Sequence, residues 1–343
     1  MSRALLADQV GPSNQTQPKI RALLKNQTVR YVLGRIVQAV GVLWAVYTVT
    51  FAILYLLPSD PVALRLGAGD VQVGQLSPAQ LLAVKAQYGL DQPLYQQYLT
   101  QLGHLLRLDF GESIAQGVPV GHLLAQRLPS TLALGVTAIA LALVLGVGVA
   151  YLAAYVGWRP LKGLLNRIPA VGVSLPPFFV GLLLIQLFAF SLGWFPATGS
   201  DGWKSLVLPA TMMSIPTSAM LAQVLSRSLE DTLAEPYVVT ARARGLSRGQ
   251  IQFRHALRNA SLPALTLLGL LLGATVTEAV VAETVFSRQG IGQLAQQAVL
   301  AQDVPVVQAI VVIAASIFVV LNLLIDLVYP LVDPRITHTP RVS

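Results

Sequence analysis

Long apolar runs alternate along this chain with short polar segments that are mostly basic. Ile36 to Leu57 carries no charge, and neither do Leu128 to Trp158, Ile168 to Ser200, Ser205 to Ser226, Asn259 to Thr277 or Val304 to Ile325. A helix rises about 1.5 Å per residue and a bilayer core is about 30 Å thick, so each run is long enough to span. The pattern predicts an all-α polytopic membrane protein with six transmembrane helices. Pro129-Ser130-Thr131 offers a start for the second helix. Pro176-Pro177 kinks or breaks the third, and Pro209 and Pro216 lie inside the fourth. These four prolines (Pro176, Pro177, Pro209 and Pro216) are candidate hinges or fixed kinks. The first twenty or so residues show no periodicity and read as loose. The loop over 58–127 opens on the turn-like Pro58-Ser59-Asp60-Pro61, and Ser77-Pro78 starts a helix within it. Phe286 to Val304 reads as an outer loop holding a short helix, LAQQAVL.

Composition agrees with the spans: 54% of residues are apolar and 11% charged, against about 25% charged in soluble domains. Of the 23 Lys and Arg residues, 17 fall at the N-terminus, in 159–167, in Arg227 to Arg258 and in the C-terminal tail, and 6 in the intervening loops. Basic loops face the cytoplasm, so both termini are expected inside and 58–127 outside. The net charge of +8 thus marks topology rather than a nucleic-acid face. There is no Cys, so disulfides and Cys-based metal sites are excluded. None of the five Lys residues sits in a GxxxxGK[ST] frame, and HExxH is absent. The chain therefore has no ATP-hydrolysing signature. His104, His122, His255 and His338 are scattered and make poor metal ligands. Glu278, Glu283, Asp201 and Asp326 sit at span edges and read as solvated end residues. With no acid at a span centre, a stand-alone ion-gradient-driven carrier is the weaker alternative. A membrane anchor or assembly factor would leave the two long loops unexplained. Gly269 and Gly273 form a GxxxG suited either to a subunit seam or to packing within the chain.

One polar stretch stands out, Pro236 to Pro263: PYVVTARARGLSRGQIQFRHALRNASLP. It carries Arg242, Arg244, Arg248, Arg254 and Arg258 and no acid. Thr240 to Arg244 favours helix, Gly245 supplies the positive φ that ends it, and Ser247 caps a second short helix. This helix–Gly–helix element resembles the "EAA" loop of permease subunits of bacterial ABC importers, in the version of the oligopeptide, dipeptide and nickel branch. Val239, Thr240, Ala241 and Gly245 match its start, with the Glu missing, and Leu257 matches its later Leu. Tyr88-Gly89-Leu90-Asp91-Gln92-Pro93-Leu94, Gln97-Tyr98 and Leu108-Asp109-Phe110-Gly111-Glu112-Ser113 are similar to the external loop of the larger permease type in that branch.

The resemblance implies a type I ABC importer permease fold in a bacterial or archaeal plasma membrane. Its layout is a cytoplasmic segment (1–35), a first helix (36–57), an external loop domain (58–127), a five-helix core (128–335) with a coupling loop at 227–258, and a tail (336–343). It also implies ATPase coupling by Thr240, Ala241, Arg242, Ala243, Arg244, Gly245 and Leu246. The implied partners are a second homologous permease, two ABC ATPase subunits carrying ATP and Mg, an external substrate-binding protein and membrane lipid. No cofactor is expected on the chain itself. The implied cargo is a peptide, nickel or a metal chelate.

Overall fold

A computed structural model of the chain describes residues 16–56 and 92–332, with side chains over 34–54 and 92–325. Among these residues the elements are helices: α1 (Thr16–Leu56), α2 (Leu94–Leu106), α3 (Val120–Tyr155), α4 (Arg159–Ser174), α5 (Pro177–Leu184), α6 (Lys204–Leu233), α7 (Pro236–Ala243), α8 (Arg248–Gln250), α9 (Leu257–Val285), α10 (Ile291–Leu300) and α11 (Val304–Val332). A π-helical turn, Ile185–Ser191, extends α5, and another, Ile251–Ala256, joins α8 to α9. Five helical stretches are long and apolar enough to cross a membrane; α4 with α5 makes a sixth if that bent pair is one span. The helix expected at Ser77-Pro78 and the Tyr88–Asp91 match lie outside the described residues.

Several boundaries differ from expectation. Helix α1 already begins at Thr16, within the segment expected to be loose. Helix α3 begins at Val120, so Pro129 lies inside it rather than at its start. Pro119 ends the extended entry, and Val120, Leu123 and Leu124 bury an apolar stripe before the proline is reached. Arg159, Lys162 and Arg167 sit on helix α4 rather than in a loop, with Pro160 in the first turn, where its missing N–H costs nothing. At Pro176-Pro177 the chain bends by 103° between α4 and α5, the break that two consecutive prolines impose. Pro209 and Pro216, in contrast, sit in an uninterrupted α6.

Helix α6 is the axis of the bundle. In its most apolar window 67% of residues are buried, against 17–28% in the other single spans. Its most extensive neighbour is α3. Two clusters line α6: Leu134, Ala138, Leu208, Met212 and Phe286 toward one end, and Ala150, Ala154, Leu221, Leu225 and Ala260 toward the other. The small residues permit the close approach. A Cβ on Gly146 would stand 2.9 Å from the Ser218 carbonyl oxygen and 3.0 Å from Leu221 Cδ2. The GxxxG of α9 packs within the chain, Gly273 against Phe318 and Gly269 against Ile325 of α11. Helix α1 lies against α11 and meets α2 through Tyr47, Phe51 and Tyr98, with Thr48 Oγ1 2.8 Å from the Tyr98 hydroxyl.

Gly146→Val should therefore force α3 from α6 and destabilise the protein by about 1–3 kcal/mol. Gly148→Val, with no atom within 4 Å of its added Cβ, should leave stability unchanged. Thermal unfolding of the two variants in detergent checks the contrast.

Candidate functional site

The two ends of the bundle carry different chemistry. At one end, α6 runs into the basic stretch. Glu235 is extended, and Pro236 opens α7 at its first position, where proline is preorganised. Gly245 closes the helix with φ +82°. Its N–H donates to the Arg242 carbonyl at 2.9 Å, and the Leu246 N–H donates to the Ala241 carbonyl at 3.3 Å. That pair of bonds is a Schellman motif, which needs a left-handed residue at the glycine position. Ser247 then starts α8 with a capping box: its Oγ accepts from the Gln250 N–H at 3.3 Å, and its own N–H donates to Gln250 Oε1 at 3.0 Å. The expected helix–Gly–helix geometry is present in each part.

This loop is fixed from behind and open in front. Val238, Ile251 and Gln252 are buried, and Gln252 Nε2 donates to the Tyr151 carbonyl at 2.8 Å, tying the loop to the base of α3. Thr240, Arg242, Ala243, Arg244 and Gly245 are exposed, and Ala241 and Leu246 are half-buried. Val239 and Phe253 are each 67% exposed, so the outward surface mixes guanidinium groups with two large apolar side chains. The anchors Val238, Ile251 and Gln252 were not singled out from the sequence. The apolar spacing of Val238 and Ile251 is a signal for burial, but nothing local marks Gln252.

The other end is held by two buried carboxylates. Glu283 is fully buried, not solvated as its place near a span edge suggested. Its Oε2 accepts from the N–H groups of Gly292 (2.7 Å) and Gln293 (3.2 Å), and its Oε1 from Thr131 Oγ1 (2.6 Å). Thr131 Oγ1 in turn accepts from the Ile291 N–H at 2.8 Å. The first three N–H groups of α10 are thus satisfied by side chains from α9 and α3. Gly290 and Gly292 make room, since a Cβ on either would run into the Glu283 carboxylate or, at 292, the Val280 backbone. Arg288 is buried beside it, with Nη1 3.0 Å from Ser205 Oγ at the start of α6.

Asp303, also buried, accepts from Ser113 Oγ and from the N–H groups of Ile114 and Ala115, both at 3.1 Å. It fastens the Leu108–Ser113 segment to the start of α11. In that segment Asp109 is held below the usual carboxylate range by the Gly111 N–H and then by His104. The edge reading is corrected for Glu278 as well: it is half-buried, and its Oε2 is enclosed without a hydrogen-bond partner. Asp201 is exposed as expected, and the Asp326 side chain lies outside the described residues. No group of three or more His, Asp or Glu suited to a metal occurs among the described residues. The positions of Gly290 and Gly292, seven and nine residues after Glu283, were the available signal for its burial.

A polytopic helical bundle with an exposed, rigidly capped basic loop at one end is consistent with a subunit of a membrane transport system. The chain belongs to the family described as binding-protein-dependent transport system inner membrane component, the permease subunits of ABC importers: that family's pattern matches residues 142–338, and the N-terminal pattern of such membrane components matches 28–135. It is 34% identical over 311 residues to the glutathione transport system permease protein GsiC of Escherichia coli strain K12, spanning 90% of this chain and 99% of the relative. GsiC of Salmonella paratyphi A is likewise 34% identical, over 319 residues, with 90% and 99% covered. A solved inward-facing structure of the MetNI methionine ABC transporter is similar over 63% of this chain and 97% of its own, at 19% identity and a TM-score of 0.48. The chain is thus a multi-pass inner-membrane transport subunit rather than an enzyme. A permease of this kind works with a partner permease, an ATPase and a substrate-binding protein, and carries no cofactor itself.

Glu283→Ala should strand the N–H groups of Gly292 and Gln293 and the Thr131 hydroxyl, destabilising the protein by about 3 kcal/mol. Glu283→Gln, which keeps one acceptor oxygen, should recover part of that loss. Denaturant unfolding, with limited proteolysis mapped to 286–303, measures both effects.

Proposed function

We propose that this chain forms one half of the translocation pathway of an ATP-driven, binding-protein-dependent importer of peptides or small peptide-like solutes. Glutathione belongs to that class, and it is the solute named for the relatives at 34% identity. Nickel or a metal chelate is the second cargo class. The other half of the pathway is a homologous permease. Two ATPase subunits holding ATP and Mg bind on the cytoplasmic side, and a binding protein delivers cargo from outside.

The observation that carries this reading is the α7–Gly245–α8 element. It is exposed and basic, and it joins directly to the central helix α6. In the proposed cycle ATP closes the ATPase pair, and the docked residues Thr240, Ala241, Arg242, Ala243, Arg244, Gly245 and Leu246 move with it. Helix α6 transmits the movement, and the pathway turns from inward- to outward-facing. The bend at Pro176 and Pro177 is the favoured hinge, and Pro209 and Pro216 are local points of compliance in α6. Basic residues concentrated at the loop end put that end and both termini in the cytoplasm. The layout is then a cytoplasmic 1–35, a first helix over 36–57, an external domain over 58–127, a core over 128–335 and a tail over 336–343.

Pull-down of the tagged, solubilised chain should recover an ATPase and a second permease, and deletion of residues 240–250 should release the ATPase. A single chain that imports with an ion gradient alone would overturn the reading. Gly245→Val places a β-branched residue at positive φ, a strain of about 1–2 kcal/mol. The expected outcome is ATPase activity no longer stimulated by loaded binding protein, with import lost at normal abundance. Normal import by that variant would remove Gly245 from the coupling element.

A further inference from the structure

A cavity of about 320 Å3 lies between the base of α3, the first turn of α4, the end of α6 and the loop from α7 to α8. Ala154, Lys162, Glu230, Arg242, Arg248 and Gln252 line it. Its charged lining is three cations against one carboxylate. That carboxylate is already engaged, since Glu230 Oε1 stands 2.9 Å from Lys162 Nζ. Arg242 and Arg248 have no ion-pair partner among the described residues. Two guanidinium groups therefore border one small, partly enclosed space whose single carboxylate is paired with Lys162.

The surroundings give the cavity a depth in the membrane. Arg248 Nη1 lies 3.4 Å from the point where Gly157 would carry a Cβ, just past the last residue of α3. Trp158 follows and is 67% exposed, and Tyr155 is 45% exposed. Exposed Trp and Tyr at the end of a span mark the headgroup level. Helix α4 starts there and runs along α6, from Lys162 beside Glu230 to Gly172 against Ala219, leaving Leu164, Ile168 and Val171 exposed.

We propose that this cavity binds the phosphodiester headgroup of an anionic phospholipid, held by the guanidinium groups of Arg242 and Arg248. The planar guanidinium fork matches phosphate oxygens in pairs, and basic pockets between spans recruit acidic headgroups. The volume is at the small end for ligand sites. It admits a headgroup and leaves the acyl chains in the bilayer beside α4. An acidic side chain of a docked protein would meet the outward guanidinium groups, whereas this space opens between the loop and the foot of the spans. A lipid seated here joins the α7–α8 loop to α3 and α4, so the anionic lipid content of the bilayer sets how firmly the loop is held. The inference rests on the membrane placement given above, but not on the cargo or the direction of transport.

The test uses the purified importer complex, delipidated in detergent. It is titrated with dioleoylphosphatidylglycerol or dioleoylphosphatidylcholine, and bound lipid is counted by native mass spectrometry. Phosphatidylglycerol should bind more tightly than phosphatidylcholine. Arg248→Gln should weaken phosphatidylglycerol ~10-fold, the loss of one charge-assisted pair, without changing phosphatidylcholine. Arg248→Lys should fall between, and both variants should still copurify with the ATPase. Equal binding of the two lipids, or unchanged phosphatidylglycerol affinity in Arg248→Gln, would overturn the proposal. Displacement of the lipid by millimolar inorganic phosphate would assign the site to a free anion and overturn it too. A lipid preference present in the isolated chain and absent once the ATPase is bound would give the pocket to an acidic side chain of that partner. Lipid counts are read independently of import, so failed import with intact lipid binding would count against the transport reading alone.

Discussion

The close approach of α3 and α6 is the constraint on which the other contacts depend. Lipid offers no hydrophobic reward for bringing two apolar helices together, so their association relies on van der Waals contact over small residues. Gly146 supplies it, with its Cα so near the Ser218 carbonyl that a methyl group would collide. Ala138, Ala150 and Ala154 extend the small-residue face along α3. With α6 held in this way, its two ends become fixed points. One end leads into α7 and Gly245. The other presents Ser205 to Arg288.

Irregular backbone is placed with the same economy. Backbone N–H groups shut away from water inside the protein must find partners there, so departures from helix are placed where side chains can bond them. At the start of α10 the partners are Thr131 and Glu283, and at the Leu108–Ser113 segment they are Asp303 and Asp109. Two buried acids, Glu283 and Asp303, thus organise one end of the bundle. At the opposite end the Schellman bonds around Gly245 and the capping box of Ser247 make a turn that holds its shape without covering its surface. The loop thereby combines internal rigidity with external exposure.

The same rigidity gives the basic residues distinct roles. Arg244 and Arg254 point to the exposed side of the loop, while Arg242 and Arg248 border the cavity at the foot of the spans. Arg242 belongs to both surfaces. Cavity and outward surface thus share one short element anchored by Val238, Ile251 and Gln252.

What the sequence determined by itself was whatever depends on local composition. Uncharged runs long enough to span, basic segments between them, a glycine where a helix must end left-handed and a serine three residues before a glutamine are all readable residue by residue. The membrane class and the turn at Gly245 followed directly. The tertiary structure alone decided what depends on residues far apart in the chain. Glu283 is buried because Thr131, more than a hundred residues earlier, and the opened N-terminus of α10 meet it there. Gly269 and Gly273 pack within the chain because α11 returns across them. Helix α3 starts at Val120 because Ile291, Leu294 and Val306 cover its first turn, which allows Pro129 to sit inside the helix rather than begin it. Burial of a charge or an early helix start is a property of the neighbours brought in by folding, and no short window of sequence contains them.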